Sequence, residues 1–309
     1  MRGLLVGSIV ALVGSGAVFG GSLAMGQSWD AVARPSIGPA QIFGGYANGC
    51  IAGAVQLPVD GRGYEVVRVS RNRFWGHPYT VQFVTTFAAQ LAARGFPDIY
   101  IGDMGQPRGG RLPYGHASHQ IGLDVDIWFN LRPRRYLPPA QREVIEEPSL
   151  VNGRAIERAN FDPRHVEMLR VAATQPRVDR IFVNAVIKRE LCRIVTGDRS
   201  WLRRLRPWFG HDEHFHVRLS CPDDQPHCQR QDPVPLGEGC DETLESWIRP
   251  PPPDPVVVAV QPPRPRLRPP TPPQCQAVLR GPTMPTAVVA PAPVVPAAAA
   301  PMGAGAALR

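Results

Sequence analysis

The sequence is poor in charge, nearly free of lysine, and without long apolar runs beyond its first residues. Charged residues make up 19% of the 309 residues, below the usual quarter or so, and Lys188 is the single lysine. After residue 23 no apolar run approaches the roughly 20 residues that cross a bilayer, which excludes later membrane spans. No basic stretch is interleaved with aromatic residues, so the net charge of +8 gives no support for a nucleic-acid partner. A hydrophobic share of 43% excludes wholesale disorder.

The N-terminus has the pattern of a secretory signal. Arg2 precedes an apolar stretch over residues 4–23, and small residues follow at Ser22, Ala24 and Gly26. We therefore predict a signal peptide over residues 1–26, cleaved after Ala24 or Gly26. An uncleaved anchor is the alternative, because the stretch approaches the length of a membrane span.

The chain contains no C-x2-C pair, so its cysteines give little support for a zinc site of their own. In an exported protein an even number of cysteines predicts disulfides. Three bridges are expected, and spacing alone cannot choose among the fifteen pairings. The six residues are Cys50, Cys192, Cys221, Cys228, Cys240 and Cys275.

Hydrophobic periodicity predicts a mixed α+β fold. A polar, glycine-rich lead-in over 27–48 and an irregular excursion over 130–160 interrupt the regular elements. Helices are predicted at 78–94, 163–174, 185–194 and 198–205, and strands at 98–104, 121–129, 180–184 and 214–219.

The C-terminal region is rich in proline, with 18 of the 36 prolines in residues 250–309. From residue 285 the chain is Pro, Ala and Val with almost no charge, which cannot bury a core. Residues 275–279 are the exception, because a cysteine and apolar residues there could join the body. We place the functional domain at 27–280 and a disordered Pro/Ala-rich tail at 281–309.

Five of the eight histidines occur in two clusters: His116 and His119, followed by two aspartates, and His211, His214 and His216. A single H-x-H is a weak signal, and a pair of aspartates on a strand is often a solvated face. Together the clusters predict a metal site. The remaining histidines, at positions 77, 165 and 227, are predicted to be structural.

Strand alternation gives this metal site a geometry. Asp124 and Asp126 share one face of their strand, and His214 and His216 share one face of theirs. Antiparallel pairing would bring Asp126 to His216, and a glycine-containing bend would bring His119 over the same face. Two imidazoles and a carboxylate with one open position form a typical catalytic zinc site.

Seven runs of sequence carry a resemblance to a known family, the penicillin-insensitive murein endopeptidases, zinc metallopeptidases of the LAS group. The resemblance covers about 45–280. The shared signature, H-x6-D followed by H-x-H, is met by His119, Asp126, His214 and His216. The seven runs are NGCI (48–51), RNRFWGHP (71–78), IGDMGQPRGGR (101–111), GHASHQIGLDVDIW (115–128), IFVNAVIK (181–188), DRSWLRRLRPWF (198–209) and HDEHFHVRLSCP (211–222).

The resemblance implies a small antiparallel sheet that carries Zn²⁺ and is flanked by helices. His119, Asp126 and His216 would bind the zinc, and His116 would lie beside or on the metal. His214 would be the catalytic base and His211 a second active-site histidine that helps to hold the oxyanion.

The resemblance also implies periplasmic location, cleavage of the D-alanyl–meso-diaminopimelyl cross-link of peptidoglycan, and insensitivity to β-lactams. The implied disulfides are Cys50–Cys275, Cys192–Cys240 and Cys221–Cys228. Some relatives carry an extra interface metal, but the corresponding stretch here, 151–155, lacks its ligands. A homodimer therefore stays an open possibility.

Other parts of the function stay open at this point. Asp124 is expected either to orient a ligand histidine or to be solvated. Arg108, Arg111 and Arg218 are candidates for binding substrate carboxylates, although a general preference for arginine over lysine would also explain them. A D-Ala carboxypeptidase and a noncatalytic murein-binding protein are the alternative functions.

Overall fold

The computed structural model describes residues 28–249 and 269–285. The predicted signal peptide lies outside these residues, as does the predicted tail from residue 286 onward. In the described part no helix is long and apolar enough to cross a membrane. The five α-helices are α1 (Pro78–Ala92), α2 (Pro163–Thr174), α3 (Ala185–Ile194), α4 (Glu242–Ser246) and α5 (Gln274–Arg280).

The strands are mostly short and form one large sheet with three small two-stranded ones, β1/β2, β3/β6 and β9/β10. The thirteen strands are β1 (Gln41–Gly45), β2 (Asn48–Ala52), β3 (Val55–Gln56), β4 (Asp60–Gly61), β5 (Tyr64–Val66), β6 (Trp75–Gly76), β7 (Ile99–Ile101), β8 (Asp124–Trp128), β9 (Val151–Asn152), β10 (Ala155–Ile156), β11 (Val178–Val183), β12 (Leu205–Pro207) and β13 (His214–Leu219).

The large sheet has seven strands in the order β12-β11-β13-β8-β7-β5-β4. Its centre, β11-β13-β8-β7, is antiparallel, whereas β12 and β5 add parallel neighbours on either side. The α+β fold with an antiparallel sheet at the predicted site is thus confirmed. The sheet extends beyond that antiparallel centre because two-to-three-residue strands, too short to show a period, complete its edges.

Apolar side chains from α1 and from one face of the central sheet form the core. Phe87 of α1 meets Phe215 of β13 edge to face, with ring centroids 6.4 Å apart. Val84 and Leu91 on the same helix are fully buried, as is Ile127 of β8. Burial of this face holds the central strands in register.

Two histidines outside the clusters cap helices. His77 precedes Pro78, and its Nδ1 accepts a hydrogen bond from the backbone N–H of Tyr79. His165 completes a capping box with Asp162 at the start of α2, and its Nε2 lies 2.7 Å from the carbonyl oxygen of Phe129. Both roles satisfy backbone groups that a helix terminus leaves unpaired.

The three disulfides form with the implied pairings. The Cα–Cα distances are 5.7 Å for Cys50–Cys275 and Cys192–Cys240, and 5.8 Å for Cys221–Cys228, all within the usual range. The first joins α5 to β2. Residues 281–285, assigned to the tail from sequence, also contact the body, since the N–H of Met284 donates to the carbonyl of Pro35.

The predicted helices at 163–174 and 185–194 have the bounds of α2 and α3. The segment at 198–205 forms a short 3₁₀ helix over Ser200–Arg204 instead of an α-helix. The predicted lead-in at 27–48 contains strand β1 and the start of β2. These two strands pair antiparallel over five residues each. The disulfide at Cys50 also anchors β2, and the carbonyl of His227 accepts a hydrogen bond from the N–H of Gly44 in β1.

Candidate active site

Strands β8 and β13 present six polar or aromatic side chains on one face. Asp126 lies opposite His216, Asp124 opposite Arg218, and Trp128 opposite His214. Because cross-strand partners point to the same side of a sheet, this register confirms the antiparallel pairing that the sequence predicted. The other face of both strands belongs to the core.

His119 reaches this face from the loop before β8. Its backbone has a φ of 66°, unusual for a residue with a side chain, and its N–H donates to Asp124 Oδ2 at 2.9 Å. Its Nδ1 lies 2.9 Å from the carbonyl oxygen of Met104, so in the neutral tautomer Nδ1 is the donor and Nε2 carries the lone pair that a metal needs. The bend itself depends on Gly122 (φ 71°), where a Cβ would lie 2.9 Å from the nitrogen of His77.

His216 is oriented by Asp124. Its Nε2 lies 2.8 Å from Asp124 Oδ1, which leaves Nδ1 directed toward Asp126 Oδ1 at 3.3 Å. Asp124 is fully buried and also receives two hydrogen bonds from the Arg218 guanidinium. Burial would raise the pKa of Asp124, but Arg218 and His216 hold it well below its usual range. Asp124 is therefore an orienting carboxylate and not a solvated one.

The same aspartate acts on the protonation of its partner. Burial alone would lower the pKa of His216, whereas the charge of Asp124 and its hydrogen bond raise it. The pKa of Asp126 is far below its usual range: burial opposes ionisation, and the neighbouring His119 and His116 favour it. Both aspartates are thus carboxylates at neutral pH.

Three buried polar atoms near Asp126 have no hydrogen-bond partner within the described residues: His119 Nε2, Asp126 Oδ1 and His214 Nδ1. His119 Nε2 lies 3.4 Å from Asp126 Oδ1. Buried atoms of this kind are costly unless a ligand satisfies them, and imidazole nitrogens with a carboxylate oxygen are typical metal ligands. The residues present therefore fit a bound cation.

His116, His119 and Asp126 offer a group of possible metal-binding atoms that all lie within 4.8 Å of one another. His216 lies outside this group although it contacts Asp126. His116 Nε2 is 3.5 Å from Asp126 Oδ2 and 3.2 Å from Asp103 Oδ2. His116 therefore contacts two carboxylates, that of Asp126 in the site and that of Asp103 beside it.

Sequence reasoning missed Asp103. It is buried at the end of β7, where its carbonyl accepts from the N–H of Asp126, and its carboxylate pairs with Arg73 at 2.8 Å. The Arg73 guanidinium also contacts the carbonyl of Tyr114 in the loop that carries His116. The signal in the sequence was an aspartate at the end of a predicted buried strand, one position before Met104.

His214 and His211 lie side by side at the other end of the site. Their ring centroids are 5.0 Å apart, and His214 also contacts the Trp128 ring at 5.0 Å. Burial lowers the pKa of His214. Burial and the neighbouring His214 lower the pKa of His211 to about 4, so both imidazoles are neutral near pH 7.

Two of the three arginines considered for carboxylate binding are unavailable for it. Arg108 is buried, and its Nη1 donates to the carbonyls of Val278, Leu279 and Gly281. The guanidinium of Arg218 donates two hydrogen bonds to the carboxylate of Asp124. The prediction for both is wrong, because an isolated sequence does not show which partners consume a guanidinium.

Arg111 remains as a candidate. Its side chain is exposed, and its guanidinium has no hydrogen bond or ion pair within the described part of the chain. It borders a cavity of about 880 Å³ that His116 and Tyr114 also line. This cavity adjoins the histidine cluster on one side without containing it.

Comparison with known proteins assigns the chain to the peptidases, a class of hydrolases. The family model described as penicillin-insensitive murein endopeptidase matches residues 42–280. Proteins of that name are similar over most of their length. The Haemophilus influenzae protein is 42% identical over 82% of this chain and 88% of its own. The Klebsiella pneumoniae (strain 342) protein is 42% identical over 84% and 93%, and the Yersinia pestis protein is 41% identical over 81% and 90%. The chain belongs to the penicillin-insensitive murein endopeptidase family.

Proposed function

We propose that this protein is a zinc-dependent D,D-endopeptidase that cleaves the D-alanyl–meso-diaminopimelyl cross-links of peptidoglycan and is insensitive to penicillin. It would act in the periplasm after removal of residues 1–26. The observation that carries the proposal is the convergence of His119 Nε2 and Asp126 Oδ1, both buried and without a hydrogen-bond partner in the described residues, beside His216 Nδ1. Family membership supplies the murein endopeptidase activity.

Zinc is the proposed cofactor because two imidazoles and a carboxylate with an open position are its usual catalytic ligands. His119, Asp126 and His216 would hold it, with His116 beside or on the metal. When bound, zinc supplies a Lewis acid and lowers the pKa of a coordinated water. A mechanism of this kind uses no serine nucleophile for a β-lactam to acylate.

Two histidines of the protein would transfer the proton of the attacking water and stabilise the negative charge that develops on the oxyanion. His214 is neutral because burial lowers its pKa, so it can accept a proton from the attacking water and return it to the leaving amine. His211 is oriented by its Nδ1, which lies 2.8 Å from the carbonyl oxygen of Phe209. In the neutral ring Nδ1 is therefore the donor and Nε2 an acceptor. His211 would help to hold the oxyanion only in its protonated form, in which Nε2 also carries an N–H.

The experiment that tests this function incubates the secreted form, 27–309, with purified cross-linked muropeptide dimers, with and without a chelator. Mass spectrometry identifies the products, and a parallel reaction contains penicillin. Monomers should appear without chelator and in the presence of penicillin, and should disappear when metal is removed. Zinc added back should restore them.

The two alternative functions predict other products. A carboxypeptidase would release free D-Ala and leave dimers joined. A noncatalytic murein-binding protein would sediment with murein and release nothing, with zinc bound. Either result would overturn the endopeptidase proposal.

A further inference from the structure

Three aromatic side chains form a surface beside the active site that the proposed chemistry does not use. We define the aromatic platform as Trp208, Phe209 and Trp247. Trp208 is 50% exposed and Phe209 75% exposed. The Trp247 ring lies 6.0 Å from that of Trp208 and 5.0 Å from that of Phe209. Contiguous exposed aromatics beside a functional site commonly mark an interaction surface.

Backbone hydrogen bonds and a disulfide hold the platform in place. The N–H of Trp208 donates to the carbonyl of Val183 at 2.9 Å, so the segment before His211 follows the edge of the sheet. Trp247 comes directly after α4, which packs through Leu244 on Ala185 of α3. The Cys192–Cys240 disulfide joins α3 to the chain just before α4. The rings are therefore presented by fixed backbone.

The platform is continuous with the histidine cluster through one side chain. The ring of Phe182 lies 5.2 Å from that of His216 and 5.5 Å from that of Trp208. His211 follows Phe209 by two residues. A substrate that occupies the cluster would therefore meet the platform next to Phe182.

We propose that the aromatic platform binds the glycan strand of murein, a chain of N-acetylated amino sugars, next to the peptide that is cut. This inference rests on the proposed function. The C–H face of a pyranose ring packs well against an aromatic face, and rigid aromatic rings offer large contact area at little entropic cost. Because each cross-linked peptide is attached to a glycan strand, a peptide held in the cluster brings sugars close to the protein surface.

Charge around the platform fits the peptides that are attached to such a glycan strand. Two hollows of about 290 Å³ and 170 Å³ adjoin the platform. Arg180 and Arg206 line the larger hollow together with Asp241, and the exposed Arg154 lines the smaller one. Arg180 is paired with Asp179, so Arg206 and Arg154 are the guanidinium groups that would meet the carboxylates of the peptides attached to a glycan strand.

A second copy of this chain is a poorer occupant. Aromatic side chains bury about 150–250 Å² each, so three rings at these exposures offer at most roughly 400 Å². A standard interface buries about 800 Å² per partner. The platform is large enough for one or two sugar rings and small for a stable dimer.

The test compares Trp208→Ala and Phe209→Ala with the unchanged 27–309 chain. Tyr136→Ala is the matched control, because Tyr136 is a 55% exposed aromatic residue whose hydroxyl contacts Asp60, at the far edge of the sheet. Binding is measured by co-sedimentation with intact murein and by titration with peptide-free glycan strands. Cleavage is measured on intact murein and on cross-linked peptide dimers that carry no sugar.

The platform variants should bind glycan strands about tenfold more weakly, and their ratio of murein cleavage to peptide-dimer cleavage should fall about as much. Tyr136→Ala should keep both values, and Phe209→Trp should restore them. Unchanged glycan binding in the platform variants would overturn the inference. A change of the platform variants from dimer to monomer in ultracentrifugation would also overturn it, because a second copy of the chain would then be the occupant.

The two proposals fail in different ways. If the unchanged chain binds glycan strands through the platform but leaves peptide dimers intact, the glycan site stands and the endopeptidase function does not. If it cleaves dimers and the platform variants do so with an unaltered ratio and unaltered glycan binding, the function stands and the platform proposal does not.

Discussion

The two faces of the β8/β13 ladder differ completely in chemistry although they share the same backbone. One face carries Asp124, Asp126 and His216, and the other carries Val125 and Val217, all fully or nearly fully buried. The apolar face contributes stability through contact with the core. The polar face is buried as deeply but leaves atoms without partners. Burial by itself therefore does not separate core from site, whereas the convergence of imidazole nitrogens on a carboxylate oxygen does.

The largest effect should follow from removing a proposed ligand on the polar side. For His119→Ala we expect murein cleavage to fall by at least about 10³-fold, because metal catalysis contributes several kcal/mol to the transition state. Bound zinc, measured by mass spectrometry of the native protein, should be lost in parallel. Thermal unfolding of the variant serves as the control. Full activity in His119→Ala would contradict the proposed site.

A matched change on the core face should act on stability instead. Ile127→Ala, one residue from Asp126, should lower the free energy of unfolding by about 2–5 kcal/mol, because it leaves a cavity in a fully packed region. Denaturant titration measures this loss. Zinc content per folded molecule should remain that of the unchanged protein, and its loss would show that the two faces are not separable.

A smaller effect is expected from changing the carboxylate of Asp124, which orients His216 on the polar face. Asp124→Asn keeps the shape of the side chain but removes the charge that holds His216 and Arg218. Partners of metal-bound histidines are commonly worth about 10–100-fold in metal affinity. Competition with a chromogenic zinc chelator measures that affinity. Asp103→Asn, which loosens His116 from the opposite side, provides the comparison, and an affinity unchanged in Asp124→Asn would argue against the orienting role.

The smallest effect is expected on stability and comes from protonation of His77, which lies outside the site. Burial lowers the pKa of His77 to about 4 from its ordinary value near 6.5. Between these values the unfolded chain binds the proton and the folded protein does not. Stability is therefore fully present above pH 6.5 and is lost as the pH falls toward 4, by about 1–3 kcal/mol for this residue.

His77→Asn keeps a side chain that can cap α1 and should flatten this part of the pH dependence. Urea titrations at a series of pH values provide the measurement. His165 also has a pKa lowered by burial, so part of the slope will remain in the variant. An unaltered slope would show that His77 is protonated in the folded protein.

Local pattern was sufficient for the long elements and for the register at the site. The bounds of α2 and α3 follow from caps and helical periodicity, and the approach of Asp126 to His216 follows from alternation on two paired strands. Pattern failed for β5 and β12, which have three residues each and take their conformation from a parallel neighbour. It failed also at Ser200–Arg204, where five residues form a 3₁₀ helix and are too few to distinguish its period from that of an α-helix.

Residue type and strand alternation are local properties, so they were sufficient to show which chemical groups could form the site. How those groups are used depends on contacts that the fold creates. In the folded chain Arg108 donates hydrogen bonds to carbonyls near α5, and Arg218 donates to Asp124. Asp103 contacts His116. These partners lie from 13 to 173 residues apart along the chain, and a hydrogen bond depends on distance in space, which sequence spacing does not contain.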